Sequence, residues 1–272
     1  MQKSISIVLI LLATFSAGAQ FPQKLPIEYK AFFAAKAIGS ESLLEKGEYP
    51  NTTQDEANPI KENQWNRSGK INAADSPTVS PVIETCKLSY SNYIDNNAGK
   101  TIILDPAIAA PRATVYSLTS SNDYTGEDFY LSSLVNITSA STSGDQFMGF
   151  DGNYTGNQQR GRVCVKSSAN KGFFNLGLGW KETATTWSAD LPYGTTIFVV
   201  VKVSPSAKGA ESASLFVNPK IGGKEAGESI TASVTGNADL KKIRSIYIRQ
   251  RPNLGGKIAG LRFSNRWEDV VK

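Results

Sequence analysis

The chain of 272 residues contains no histidine. That absence removes Ser-His-Asp and Cys-His catalysis, most transition-metal sites and the commonest general base together. The acids nearest one another, Glu127-Asp128 and Glu268-Asp269, are adjacent in sequence. On a strand, neighbouring side chains point to opposite faces, so neither pair converges on one substrate atom, and both read as structural or solvated. The aromatic residues offer a different chemistry. Trp180 and Trp187 flank a polar connection containing Lys181, Glu182 and Thr183, with Tyr193 close behind and Tyr154 in a neighbouring loop. Flat rings stack on the C–H faces of sugars while amides and acids take the hydroxyls, which makes Trp180, Trp187, Tyr193 and Tyr154 the candidate ligand-binding residues. The competing reading is packing at strand ends. Trp267, with Val270 behind it, reads as core.

Two turns could hold a hard cation. Asp151-Gly152-Asn153 and Asp95-Asn96-Asn97 present oxygen donors of the kind calcium takes, yet the same residues are ordinary turn formers, and turn chemistry is the preferred reading. No cofactor is expected, with calcium the one candidate metal. Cys86 and Cys164 either pair or are buried free thiols. Cys164 alternates with Val163 and Val165, so it faces away from the side on which those valines pack. A disulfide closing so long a loop would add roughly 3 to 5 kcal/mol, and geometry decides whether it forms.

These residues must be positioned by strands. Residues 195–203 form a β-branched and aromatic run, started by Tyr193-Gly194 and stopped by Ser204-Pro205, which predicts a central strand apolar on both faces. Residues 173–180 suit a strand in which glycines admit close approach, and the two are expected to form a core strand pair joined by the aromatic connection. Residues 129–137 place Phe129, Leu131, Val135 and Ile137 on one face. Further runs fall at 146–150, 162–166, 213–217, 229–234, 243–250 and 258–263. Their spacing, without sustained helical periodicity after Gly39, predicts an all-β, two-sheet antiparallel sandwich. Residues 39–81 are polar, broken by Pro50, Pro59, Pro77 and Pro81, and read as loops and edge strands.

The first residues carry a basic start, an apolar stretch from Ile5 to Leu12 and the small-residue site Ala17-Gly18-Ala19. They predict a signal peptide over 1–19, and hence an exported chain, periplasmic or extracellular, without membrane insertion. Residues 20–40 are expected to be a leader with a short helix, and 41–272 the sandwich domain. The formal charge of +5 falls to +4 without Lys3, a mild excess. The basic group Lys241-Lys242-Ile243-Arg244, with Arg249 and Arg251, reads as a solvated face, so no nucleic-acid partner is expected.

In order along the chain, Gly126-Glu127-Asp128, Ser133-Leu134-Val135-Asn136, the segment from Gly161-Arg162 to Val165-Lys166, Thr195-Thr196 with Val199-Val200-Val201-Lys202, Ser214-Leu215-Phe216-Val217-Asn218-Pro219, and Gly260-Leu261-Arg262-Phe263 followed by Arg266-Trp267-Glu268-Asp269-Val270 resemble secreted concanavalin A-like (laminin-G-like) jelly-roll domains of Bacteroidetes proteins. The resemblance spans roughly residues 43–270 and implies two curved sheets without implying one activity. Hydrolases of that fold carry a Glu-x-Asp-x-x-Glu set on one strand, which is absent here. Its lyases use a tyrosine with histidine or arginine and glutamine on the concave sheet, for which Tyr247, Arg249 and Arg251 are the available residues. The expectation is an exported, non-catalytic carbohydrate-binding or adhesion module with a glycan or other surface ligand. The alternatives are a glycan-active hydrolase or lyase with a histidine-free site, and a structural surface protein with no small ligand.

Overall fold

A strand that is apolar on both faces needs cover on both sides, and Thr196–Ser204 (β11) has it. Ile197, Val199, Val201 and Val203 point into the space between two sheets, while Phe198 and Val200 point to a second apolar cluster behind. The structure, a computed structural model, describes residues 65–68, 82–97, 100–107, 114–118, 128–152, 159–181, 184, 186–204, 211–236, 243 and 245–272. The expected signal peptide and leader lie outside the described residues, as does Tyr154.

The fold is the all-β sandwich that the alternating patterns predict. One antiparallel sheet of eight strands runs in the order Trp65–Ser68 (β1), Thr114–Leu118 (β4), Ser245–Arg249 (β14), Asp145–Asp151 (β6), Gln159–Ser167 (β7), Phe173–Gly179 (β8) and Leu191–Pro192 (β10), with Thr186–Trp187 (β9) also paired to β8. The other, of seven, runs Ala232–Thr235 (β13), Ser212–Val217 (β12), β11, Phe129–Ser139 (β5), Gly255–Ser264 (β15), Lys100–Leu104 (β3) and Val82–Thr85 (β2). Among the described residues the helices are one turn, Trp267–Val270 (α1), and a 3-10 turn at Glu225–Gly227. No helix among them is long and apolar enough to cross a membrane.

Between the sheets lies the main core, to which Phe129, Leu131, Val135 and Ile137 all contribute from one face of β5. Each such side chain contributes roughly 1.5 to 3 kcal/mol by leaving water. The anticipated strand pair is corrected here. β8 pairs with β7, β9 and β10, whereas β11 pairs with β12 and β5 in the opposite sheet. Phe174, Leu176 and Leu178 of β8 belong to the same core as Ile197, Val199 and Val201 of β11, so the two strands meet through their faces and not their edges.

The outer face of the seven-stranded sheet is covered by its own second core. Trp267 packs edge-on to Phe216 at 4.9 Å and donates its indole N–H to the Gly223 carbonyl at 2.8 Å. Val270 is fully buried beside it, as the sequence predicts. Tyr93 donates its hydroxyl to the Gly260 carbonyl at 2.6 Å, over a bulge in β15 where Gly260 has φ +56° and a β-carbon would meet the Tyr93 ring at 2.9 Å. Beside it Arg262 and Asp95 form a buried ion pair at 2.5 Å. Asn96 closes the same turn by bonding Tyr90 through both its amide groups, so Asp95 and Asn96 spend their side chains within the fold.

Cys86 lies in this second core, and Cys164 lies on the outer face of the eight-stranded sheet, opposite Gly177. Both sheets and the main core stand between them. Of the two states that the sequence leaves open, the structure has the two buried free thiols, donating weakly to the carbonyls of Leu88 and Arg162 respectively.

Candidate active site

With one sheet covered by a second core, polar chemistry gathers on the outer face of the other. Along β14, Ile246 and Ile248 point into the main core, so Tyr247 and Arg249 point outward. On β6 the neighbours of Tyr247 are Met148 and Phe150, both core residues, with Gly149 between them directly opposite Tyr247. On β7 the core residues Val163 and Val165 leave Arg162, Cys164 and Lys166 outward. Gly179 of β8 stands opposite Arg162.

One cross-sheet row thus runs from Tyr247 over Gly149 to Arg162 and Gly179, with Gly149 in an irregular step of the β6–β7 register, where it faces both Gly161 and Arg162 between the Met148–Val163 and Phe150–Arg160 pairs. Tyr247 and Arg162 are two strands apart, about 10 Å between backbones. The glycine between them is what brings the side chains toward each other: a β-carbon at Gly149 would sit 2.9 Å from Tyr247 Oη, which shows that the phenol lies across β6 towards β7. The Tyr247 ring is fully buried, and Arg249 beside it is partly so.

Two buried polar atoms on this face are left over. Arg162 Nε and Gln146 Oε1 have no hydrogen-bond partner. Gln146 sits on β6 opposite Cys164 and spends its amide N–H on Gln159 Oε1 at 3.1 Å, leaving its own carbonyl oxygen unused. A buried donor or acceptor without a partner costs roughly 1 to 3 kcal/mol, so an orphaned cationic donor and an orphaned acceptor on adjacent strands point to a group that satisfies both. Arg251, grouped with Tyr247 and Arg249 by the resemblance, is engaged elsewhere: its guanidinium holds Asp145 through Nε at 3.0 Å and a second nitrogen at 2.8 Å.

The aromatic candidates are distributed over both faces of β8. Trp180 is in the main core, only 7% exposed, and packs on Gly236. Trp187 lies on the outer face, flat on Gly177, where a β-carbon would meet its ring at 2.6 Å. Lys166 places its ammonium 4.3 Å from the Trp187 ring centroid. Tyr193 stacks on Phe174 at 5.3 Å, and burial raises its phenol pKa. The three described candidates therefore do not form one platform, and Tyr154 lies outside the described residues. Of the acid pairs, Glu127 lies outside the described residues, while Asp128 holds Lys202 at 2.6 Å and Glu268 and Asp269 pair with Arg266, so these three are structural. No cluster of three or more acidic or thiol side chains able to hold a metal occurs among the described residues.

Cys164, between Arg162 and Lys166, is held neutral: burial pushes its thiol up to about 11. It is not a nucleophile at neutral pH. The residues the sequence did not single out are Arg162, Gln146 and Gln159. For Arg162 the signal is Gly179 opposite it and Gly161 beside it, which is not conspicuous in a linear reading, and Gln146 and Gln159 carry none.

No protein-family model matches the chain, and no curated protein does. Among solved structures it is similar to an endo-β-1,4-glucuronan lyase from the fungus Trichoderma reesei, with TM-score 0.48 and 8% identity over 77% of this chain and 98% of that one. An alginate lyase from Alteromonas sp. 272 gives TM-score 0.40 and 10% identity over 71% and 97%. A GH54 α-L-arabinofuranosidase gives TM-score 0.41 and 12% identity over 62% of this chain and 38% of that one. These neighbours are glycan-cleaving enzymes, and the expectation of a non-catalytic binding or adhesion module is corrected accordingly.

Proposed function

We propose that this protein is a glycan-active lyase that cleaves a uronate-containing polysaccharide on the outer face of its eight-stranded sheet. The observation that carries the reading is the row in which the Tyr247 phenol lies over Gly149 towards Arg162, whose buried Nε has no hydrogen-bond partner. Alginate and glucuronan, named for the neighbours, supply the substrate classes to try.

The chemistry fits a chain without histidine. Arg162 pairs with the sugar carboxylate and draws charge from it, which acidifies the carbon-bound proton beside it. Gln146 Oε1 accepts from a sugar hydroxyl and fixes the ring. Tyr247, as phenolate, takes that proton; the C–H electron pair forms the new C=C bond, and the C–O bond to the next sugar breaks with its electrons leaving on oxygen. The phenol then returns the proton to that oxygen, so one residue serves as base and acid. Export by a signal peptide and membership among concanavalin A-like domains belong to the same reading, since polymeric glycans lie outside the cell.

The test is the appearance of unsaturated uronate ends when the protein is incubated with alginate or glucuronan. Tyr247→Phe keeps the ring and is expected to lower the rate roughly 100-fold or more with the fold unchanged. An inactive parent, or a Tyr247→Phe variant as active as the parent, overturns the reading.

A further inference from the structure

Several cations among the described residues have an acid. Lys202 is held by Asp128 and Glu225, Lys257 by Glu84, Arg251 by Asp145, and Arg262 by Asp95. Lys166 is different. No carboxylate among the described residues lies within ion-pair distance of it, and its ammonium rests instead on the face of Trp187. Trp187 is fixed in turn because its ring lies on Gly177, the one residue type that leaves room for it. Close by, Asp190 is already occupied, accepting hydrogen bonds from Ser168 at 2.6 Å, Asn170 at 2.6 Å and Asn175 at 2.9 Å. Asn175 is the cross-strand partner of Lys166, so Asp190, which Asn175 holds, is bound by two amides and one hydroxyl while the ammonium stays available.

We propose that Lys166, positioned by Trp187, is a second carboxylate-binding subsite, which takes an acidic sugar of the same chain at a distance from the reacting one. Lys166 and Arg162 lie on the same face of β7, four residues apart, which sets them about 13 Å from each other along the strand. That is longer than one sugar ring. A polymer with a carboxylate on successive sugars can meet both cations at once, so it gains from the second contact. A cation–π contact suits this role: it fixes the ammonium without neutralising it, as a carboxylate partner would. The inference rests on the acidic-glycan reading above, and it concerns binding and not bond cleavage.

The experiment separates the two. In a Tyr247→Phe background, where cleavage is slowed by the same roughly 100-fold or more, the affinity for alginate is measured by calorimetry for the parent background, for Lys166→Gln and for Lys166→Arg. Lys166→Gln is expected to bind roughly tenfold or more weakly, and Lys166→Arg to recover most of the loss. A neutral glucan should show no such dependence. Trp187→Leu, with the fold verified by circular dichroism, should weaken alginate binding in the same direction by freeing the ammonium. Unchanged alginate affinity in Lys166→Gln overturns the subsite even if the parent enzyme is an active lyase. Failure of the parent to cleave, with the Lys166 dependence of alginate binding intact, overturns the lyase reading and leaves the subsite standing.

Discussion

The Tyr247 phenol occupies the space above Gly149, the residue opposite it on the next strand. A β-carbon there would lie 2.9 Å from Tyr247 Oη and 2.9 Å from the Gly161 carbonyl oxygen, and the second of these is backbone that cannot swing away. Gly149→Ala should therefore push the phenol out of the row with Arg162 and cost about 1 to 3 kcal/mol by overpacking. Urea denaturation gives the stability and product formation the activity. A fully stable, fully active alanine variant would mean that the phenol does not need this placement.

Trp180 was a candidate for stacking on a ligand, and it is instead a core residue on Gly236. Trp180→Ala is expected to lower stability by about 3 to 5 kcal/mol, the range for truncating a large core aromatic. Trp187→Ala, on the outer face, should cost markedly less. Equal melting temperatures for the two variants would contradict their assignment to different faces of β8.

Burial raises the Cys164 thiol from its ordinary 9.0 to about 11. The unfolded chain therefore loses this proton first, and the stability that the neutral thiol contributes is complete below about pH 9 and lost as pH rises to about 11. Two pH units correspond to roughly 3 kcal/mol. The phenols of Tyr93 and Tyr130, raised mainly by burial, act in the same direction. Lys202 does so too, because its hydrogen bonds to Asp128 and Glu225 outweigh the lowering by burial. Denaturation midpoints should fall through this window, and fall less in Cys164→Ala. Since both thiols are free, a reducing agent should leave the melting temperature unchanged; a drop on reduction would show that the cysteines pair.

How far the sequence reaches depends on what a linear pattern encodes. The period of two in Phe129, Leu131, Val135 and Ile137 gives the buried face of β5 because alternation is local. Which sheet a strand joins is not local, and two apolar strands near one another in sequence, such as β8 and β11, look the same whether they meet by edge or by face. Tyr247 and Arg249 entered only through a resemblance. Arg162 and Gln146 were missed because an outward polar residue on a strand is the ordinary solvated case, and only the cross-strand register with Gly149, Gly179 and Cys164 shows what stands beside them.

The pairing of β5 carries a consequence for how this chain reaches its native state. Phe129 meets Val203, and Tyr130 meets Ser264, so both edges of the middle strand wait for segments made long after it. Until β15 arrives, an eleven-residue strand with mostly apolar side chains has one side unpaired, the kind of edge that recruits other chains. Such topology folds in milliseconds to seconds where locally paired proteins need far less. Refolding yield should therefore depend on protein concentration more steeply than the native state's solubility does, and delivery of the chain through a membrane before folding would keep this strand apart from its copies for longer than folding in place.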